Sequence, residues 1–141
     1  MSSLFLPYRL SHDLETQTWC AEGCDLEDKV FGVGAGKTEQ EAKNALKLYI
    51  LESLLADERN RIHGLSETEP SAGNIVCFTP KDLFPIRLRH ARLRAGLTQK
   101  DVARQLSMSQ QAYRKFEMID ANPTLKTVDH LEYVLKVSLL S

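Results

Sequence analysis

The chain has 141 residues, 43% hydrophobic and 26% charged, a profile that suits a soluble protein of one ordinary or two small domains. No apolar run approaches the ~20 residues that span a bilayer, and MSSLFLPYRLSHD has neither a basic n-region nor a small-residue cleavage site, so a cytoplasmic protein is expected. The net charge of −1 conceals a division, −6 up to Pro80 and +5 from Lys81 onward, that points to two modules with different partners.

Leu4, Leu6, Tyr8 and Leu10 alternate with Phe5, Pro7 and Arg9, the period of a strand. Pro7 has no amide to donate and predicts a sheet edge at that point. Thr16 to Glu22, carrying Trp19, predicts a second strand, and Val30 to Gly34 a short third. Thr38 then opens a long helix. Thr38 and Glu41 have capping-box spacing, and Ala42, Ala45, Leu46, Tyr49, Ile50 and Leu54 recur at helical spacing. Leu48, Leu51 and Leu55 widen that apolar face, enough for a sheet beneath it and a second subunit beside it. Ile62 to Asn74 reads as loop and Ile75 to Phe78 as a fourth strand. Residues 1–80 therefore read β-β-β-α-β, an α+β domain.

Residues 81–141 read as wholly helical. Lys81 to Phe84 bridges into a helix with Pro85 as its first residue and Gly96 as the residue that ends it. Ile86, Ala91 and Leu93 are expected inside, with Arg87, Arg89, Arg92 and Arg94 left to water or phosphate. Thr98 caps a second helix that packs through Val102, Ala103 and Leu106. Ser107 and Met108 make a tight turn, and Ser109 caps a third helix, QQAYRKFE, with Ala112, Tyr113 and Phe116 inward. Thr124 starts a fourth helix carrying Leu125, Val128, Leu131, Val134 and Leu135. The tail alternates Val137, Leu139 and Leu140 with Lys136 and Ser138; it either pairs as a strand across a two-fold axis or closes its own helical core.

From about Ile86 to Leu139 this pattern resembles the Xre/Cro-type helix-turn-helix family. Gln99 opens the motif, the small Ala103 follows where two helices nearly touch, and Ser107 takes the turn position. Glycine is usual there, because the turn sits at positive φ. The resemblance implies that the third helix lies in the major groove with Gln110, Gln111 and Arg114 toward base edges. Gln99 and Lys100 are then expected on phosphates, and Ser109 and Lys115 complete the expected DNA-contacting set. A small module of this kind reads a palindromic operator as a homodimer or a higher even oligomer.

Other signals are weaker. Gly36-Lys37-Thr38 looks like the end of a phosphate-binding loop, but the full motif needs glycine where Phe31 stands. Cys20, Cys24 and Cys77 lack a second Cys or His pair at zinc-finger spacing and read as reduced thiols. His12, His63, His90 and His130 are scattered, and Asp13, Glu22 and Asp25 show no convergence on a metal ion. No cofactor, metal or catalytic residue is assigned, and an enzyme is not expected.

Both halves together resemble the HicB family of bacterial antitoxins. The residues that carry this are LFLPYRL, the Asp25-Leu26 turn, the glycine-flanked strand leading to Thr38, TEQEAKNALKLYILESL, GNIVCF, and GLTQKDVARQLSMSQQA. Glu27-Asp28 stands where the family usually has Pro-Gly. The resemblance implies a truncated ribonuclease-H-like sheet that has lost catalysis and covers a small basic toxin that cleaves messenger RNA. It also implies a C-terminal domain that represses the operon promoter. Glu22, Asp25, Glu27 and Asp28 are the acids expected at the toxin contact. The alternative is a free-standing dimeric transcription regulator whose N-terminal domain senses a ligand or only dimerises.

Overall fold

The computed structural model describes residues 3–25, 29–57 and 62–140. They form two compact units, Ser3–Thr79 and a second that begins at Pro80.

The first unit comprises β1 (Leu4–Asp13), β2 (Thr18–Cys24), β3 (Val30–Gly36), α1 (Glu39–Ala56), a single 3₁₀ turn at Ile62–Gly64, and β4 (Asn74–Phe78). The sheet is antiparallel throughout, in the order β3-β2-β1-β4. Its alternation buries Leu4, Leu6, Ala21, Val76 and Phe78, and α1 buries Ala42, Leu46, Ile50, Leu51 and Leu54. This is the helix-on-sheet layer pair that the spacing predicts. Tyr49 departs from the expected inward set, being about half exposed. The Thr38 hydroxyl accepts from the Glu41 amide at 3.1 Å, whereas the Glu41 carboxylate reaches back to the Lys37 amide, one residue earlier than in the expected box.

β1 and β3 run further than expected, and β2 lies two residues later than the expected Thr16 to Glu22, because the turn between β1 and β2 falls at 14–17. The Asp13 carboxylate accepts from the Glu15 amide at 2.9 Å, and Gln17 takes a positive φ to close the β1–β2 turn. Pro7 lies in an interior strand, yet on one side its ladder is open. Phe5 exchanges both backbone bonds with Ser66, while the β1–β2 register begins only at Tyr8 opposite Gly23. Backbone groups alternate sides along an antiparallel strand, so the proline nitrogen faces the gap between these partners and leaves the β4 ladder intact.

The second unit comprises α2 (Pro80–Arg94), α3 (Gln99–Gln105), α4 (Gln110–Arg114), a 3₁₀ turn at Lys115–Glu117 that continues α4, and α5 (Leu125–Leu135). Phe84, Leu88, Ala91, Val102, Ala103, Leu106, Tyr113, Val128, Leu131, Leu135 and Leu139 form its core. Three expectations are corrected here, and one alternative left open is decided. The first helix begins at Pro80, so Pro85 lies inside it. The hydrogen bond and steric freedom lost there cost about 3 kcal/mol, and burying Leu83, Phe84 and Ile86 at roughly 1.5–3 kcal/mol each outweighs that loss. Arg92 is buried, and Leu93 is exposed in its place. Ala112 and Leu125, expected inside, are also exposed. Finally, the tail closes its own core: Leu139 is buried and its amide donates to the Glu132 carboxylate at 2.7 Å.

Candidate nucleic-acid interface

Three helix ends in the second unit share one backbone device. At the end of α2 the Gly96 amide donates to the Leu93 carbonyl at 3.0 Å and the Leu97 amide to the Arg92 carbonyl at 3.2 Å, with Gly96 at φ +73°. At the end of α3 the Ser107 amide donates to Arg104 at 3.1 Å and the Met108 amide to Ala103 at 3.0 Å, with Ser107 at φ +56°. Lys136 takes the same left-handed place after α5, at φ +55°. This paired pattern satisfies carbonyls that a helix end otherwise leaves bare. It turns the chain sharply enough for α3 and α4 to follow within a few residues, and Ser107 holds the positive φ expected of it.

Both helices of the pair are capped. Thr98 and Asp101 form a complete capping box at the start of α3, with bonds of 3.1 and 2.9 Å. The Thr98 backbone amide, then its hydroxyl, holds the Asp101 carboxyl below the usual carboxylate range. Ser109 accepts from the Ala112 amide at 3.1 Å and starts α4. Behind α4, Tyr113 is wholly buried and meets Phe116 edge to face, the ring centroids 6.3 Å apart. Gln110, Gln111, Arg114 and Lys115 are exposed, as are Ser109 and Lys100. A short helix thus carries amides and cations outward and is anchored from the opposite side by one large aromatic residue. Arg104, which the sequence reading passed over, adds a further exposed cation on α3.

Gln99 stands apart from this set. It is half-buried, and its amide nitrogen donates to Glu117 at 3.3 Å. Glu117 is itself buried against Arg92, which reaches it through Nε at 2.7 Å and Nη2 at 2.9 Å, while Arg92 Nη1 donates to the Leu97 carbonyl at 2.9 Å. The hydrogen bond from Arg92 to Glu117 holds the guanidinium above even its usual range, against burial. The sequence reading missed this pair. The available signal was spacing: Glu117 falls four residues, about one helical turn, after the inward Tyr113, an acid on the apolar side.

The acids expected at a protein contact in the first unit are occupied or undescribed. Glu22 is bound by Arg9 at 2.9 Å. Asp25 accepts from the Lys29 amide at 2.9 Å and donates its own amide to the Lys29 carbonyl. Glu27 and Asp28 lie outside the described residues. Gly36-Lys37-Thr38 serves the start of α1: a Cβ added at Gly36 would meet Glu41 Cβ at 2.4 Å, and Lys37 Nζ donates to the Thr16 carbonyl. Among the described residues no three His, Cys, Asp or Glu side chains group as metal ligands would. No helix among them is long and apolar enough to cross a membrane.

Residues 88–140 match the family described as Helix-turn-helix, of Xre/Cro type, the span that holds α3, the Ser107 turn and α4. The second half of the chain thus carries a helix-turn-helix domain, the module of DNA-binding transcription regulators. No curated protein matches the chain significantly.

Proposed function

With a helix-turn-helix domain as the starting point, we propose that the chain is a sequence-specific repressor of its own promoter, with α4 laid in the major groove. One observation carries this reading: Gln110, Gln111 and Arg114 are exposed on a helix pinned from behind by buried Tyr113. Glutamine pairs two-pronged with adenine and arginine with guanine. Lys100 and Lys115 supply phosphate contacts, and Ser109 sets where α4 begins. Two copies read a palindrome, since one small module offers few base contacts. Selection of duplexes from a random pool, followed by Arg114→Ala, tests the assignment. The variant loses ~1–3 kcal/mol at the selected site and relaxes its base preference; unchanged binding to both selected and random duplexes overturns it.

The first unit extends this reading to an antitoxin that covers a small basic ribonuclease toxin. The β-β-β-α-β order on one antiparallel sheet and the −6 charge of residues up to Pro80 support it. A toxin that holds RNA phosphates must be basic, and an acidic cover is steered to it quickly. Glu22, Asp25, Glu27 and Asp28 are the acids proposed for this contact, and the bonds that Arg9 and Lys29 make to the first two are surface contacts open to exchange for a cationic partner. Co-expression with the product of the adjacent gene tests the extension. Capture of a small basic protein, with its ribonuclease activity silenced, supports it; no capture leaves a free-standing regulator.

A further inference from the structure

We propose that Glu117, itself out of reach of DNA, is a positioning residue that presets the Gln99 side chain for a backbone phosphate. The inference rests on the DNA-binding reading above and deepens it. Gln99 opens α3 and keeps part of its surface exposed. One of the two hydrogens on its amide nitrogen is directed at Glu117 Oε1, at 3.3 Å. The second hydrogen remains for another acceptor.

The holder is rigid. Glu117 takes a two-pronged grip from Arg92, and the two side chains are only 2% and 9% exposed. A planar guanidinium fixes the plane of the carboxylate it pairs with, so the oxygen that receives Gln99 does not wander. A free glutamine side chain gives up rotamer freedom when it is ordered. Here much of that ordering precedes the arrival of DNA. Glu117 does not touch phosphate directly, being buried and of the same charge. Arg92 balances that charge, so the anion behind Gln99 does not repel the duplex.

Phosphate contacts are independent of sequence, so a random-sequence duplex of about 30 base pairs at low salt is a sufficient probe. Gln99→Ala, Glu117→Gln and the double variant are compared at a temperature where circular dichroism shows each folded. Each single change lowers affinity about three- to tenfold, the net worth of one hydrogen bond, and the double change lowers it no further. Lys100→Ala, which has no bond to Glu117, multiplies with Glu117→Gln. A merely structural role for Glu117 makes both combinations multiply alike, and that result overturns the proposal, as does parental affinity in Glu117→Gln. Should Glu117→Gln not fold, nuclear magnetic resonance of the parent decides. One side-chain amide proton of Gln99 is protected from exchange and the other shifts on adding duplex; two equally exchanging, unshifted protons sink the idea. A parent that binds no duplex at all removes the DNA-binding reading itself, an outcome distinct from every variant result.

Discussion

Arg92 and Glu117, twenty-five residues apart, meet two-pronged at 2.7 and 2.9 Å inside the helical unit. The third guanidinium nitrogen donates to the Leu97 carbonyl just beyond α2. One side chain therefore ties the end of α2 to the end of the segment that begins as α4.

Removing one partner of a buried pair leaves an uncompensated charge. Glu117→Ala is expected to destabilise the helical unit by about 3–5 kcal/mol, while replacing Arg92 and Glu117 together with Met and Leu stays near neutral or gains stability. Urea unfolding followed by circular dichroism measures both. A double replacement as damaging as Glu117→Ala alone would show that the pair contributes more than its desolvation costs.

Tyr113 gives the pair a signature at high pH. Burial, then the neighbouring Glu117, holds its phenol well above the usual range. Above about pH 10 the unfolded chain releases this proton and the folded chain keeps it. The contribution is therefore complete below about pH 10 and falls as pH rises, by up to ~1.4 kcal/mol per pH unit. Tyr113→Phe is expected to flatten the alkaline limb of urea midpoints relative to the parent. A parent-to-variant difference that stays constant from neutral to alkaline pH removes Tyr113 from this role.

The shared helix-end device makes opposite predictions at two positions. Ser107 sits at φ +56°, where a side chain strains the backbone. Ser107→Gly is expected to gain roughly 0.5–1 kcal/mol. Gly96 sits at φ +73° with open space around its Cα, so Gly96→Ala loses about 1 kcal/mol from conformation alone. Paired denaturation curves settle the signs, and two changes of equal sign contradict the assignment.

Gly34 brings β3 against α1. A Cβ there would lie 2.1 Å from the Leu46 nitrogen and 2.6 Å from the Ala42 oxygen, both backbone atoms that cannot swing aside. Gly34→Ala is expected to cost ~3 kcal/mol or more, whereas Gly73→Ala, with nothing nearby, costs about 1 kcal/mol. Fluorescence of Trp19, the single tryptophan, reports the unfolding of this unit. Equal midpoints for the two variants would mean that the helix lies further from the sheet.

Strands, helices and caps were legible because they follow from local rules: period two around Leu4 and Leu6, period 3.6 along α1, and hydroxyls at Thr38, Thr98, Ser109 and Thr124. Inward and outward faces were legible where a helix is long and less so where it is short. Ala112 lies on a five-residue helix and Leu125 at the first position of another, where one periodic face is poorly defined. Pro85 was misplaced because tertiary burial overrode the usual preference for a helix start. Arg92 was read as surface because charge alone argues for water, and only its pairing with Glu117 across the chain makes burial tolerable. The exposed residues of α4 were legible from the motif; the bond between Gln99 and Glu117 needed the fold.

The open ladder at Pro7 implies an order of assembly. The second half of β1 pairs with β2 across a tight turn, a hairpin of near neighbours. Its first half pairs with β4, from the far end of the unit, after α1 has been made. Closing a long loop takes more chain entropy than closing a short one, and distant contacts form more slowly. The two ladders overlap only at Tyr8, which lies opposite Gly23 on one side and Asn74 on the other. The hairpin of β1 and β2 is thus expected to close early, and the docking of β4 on Leu4, Leu6 and Tyr8 to follow it.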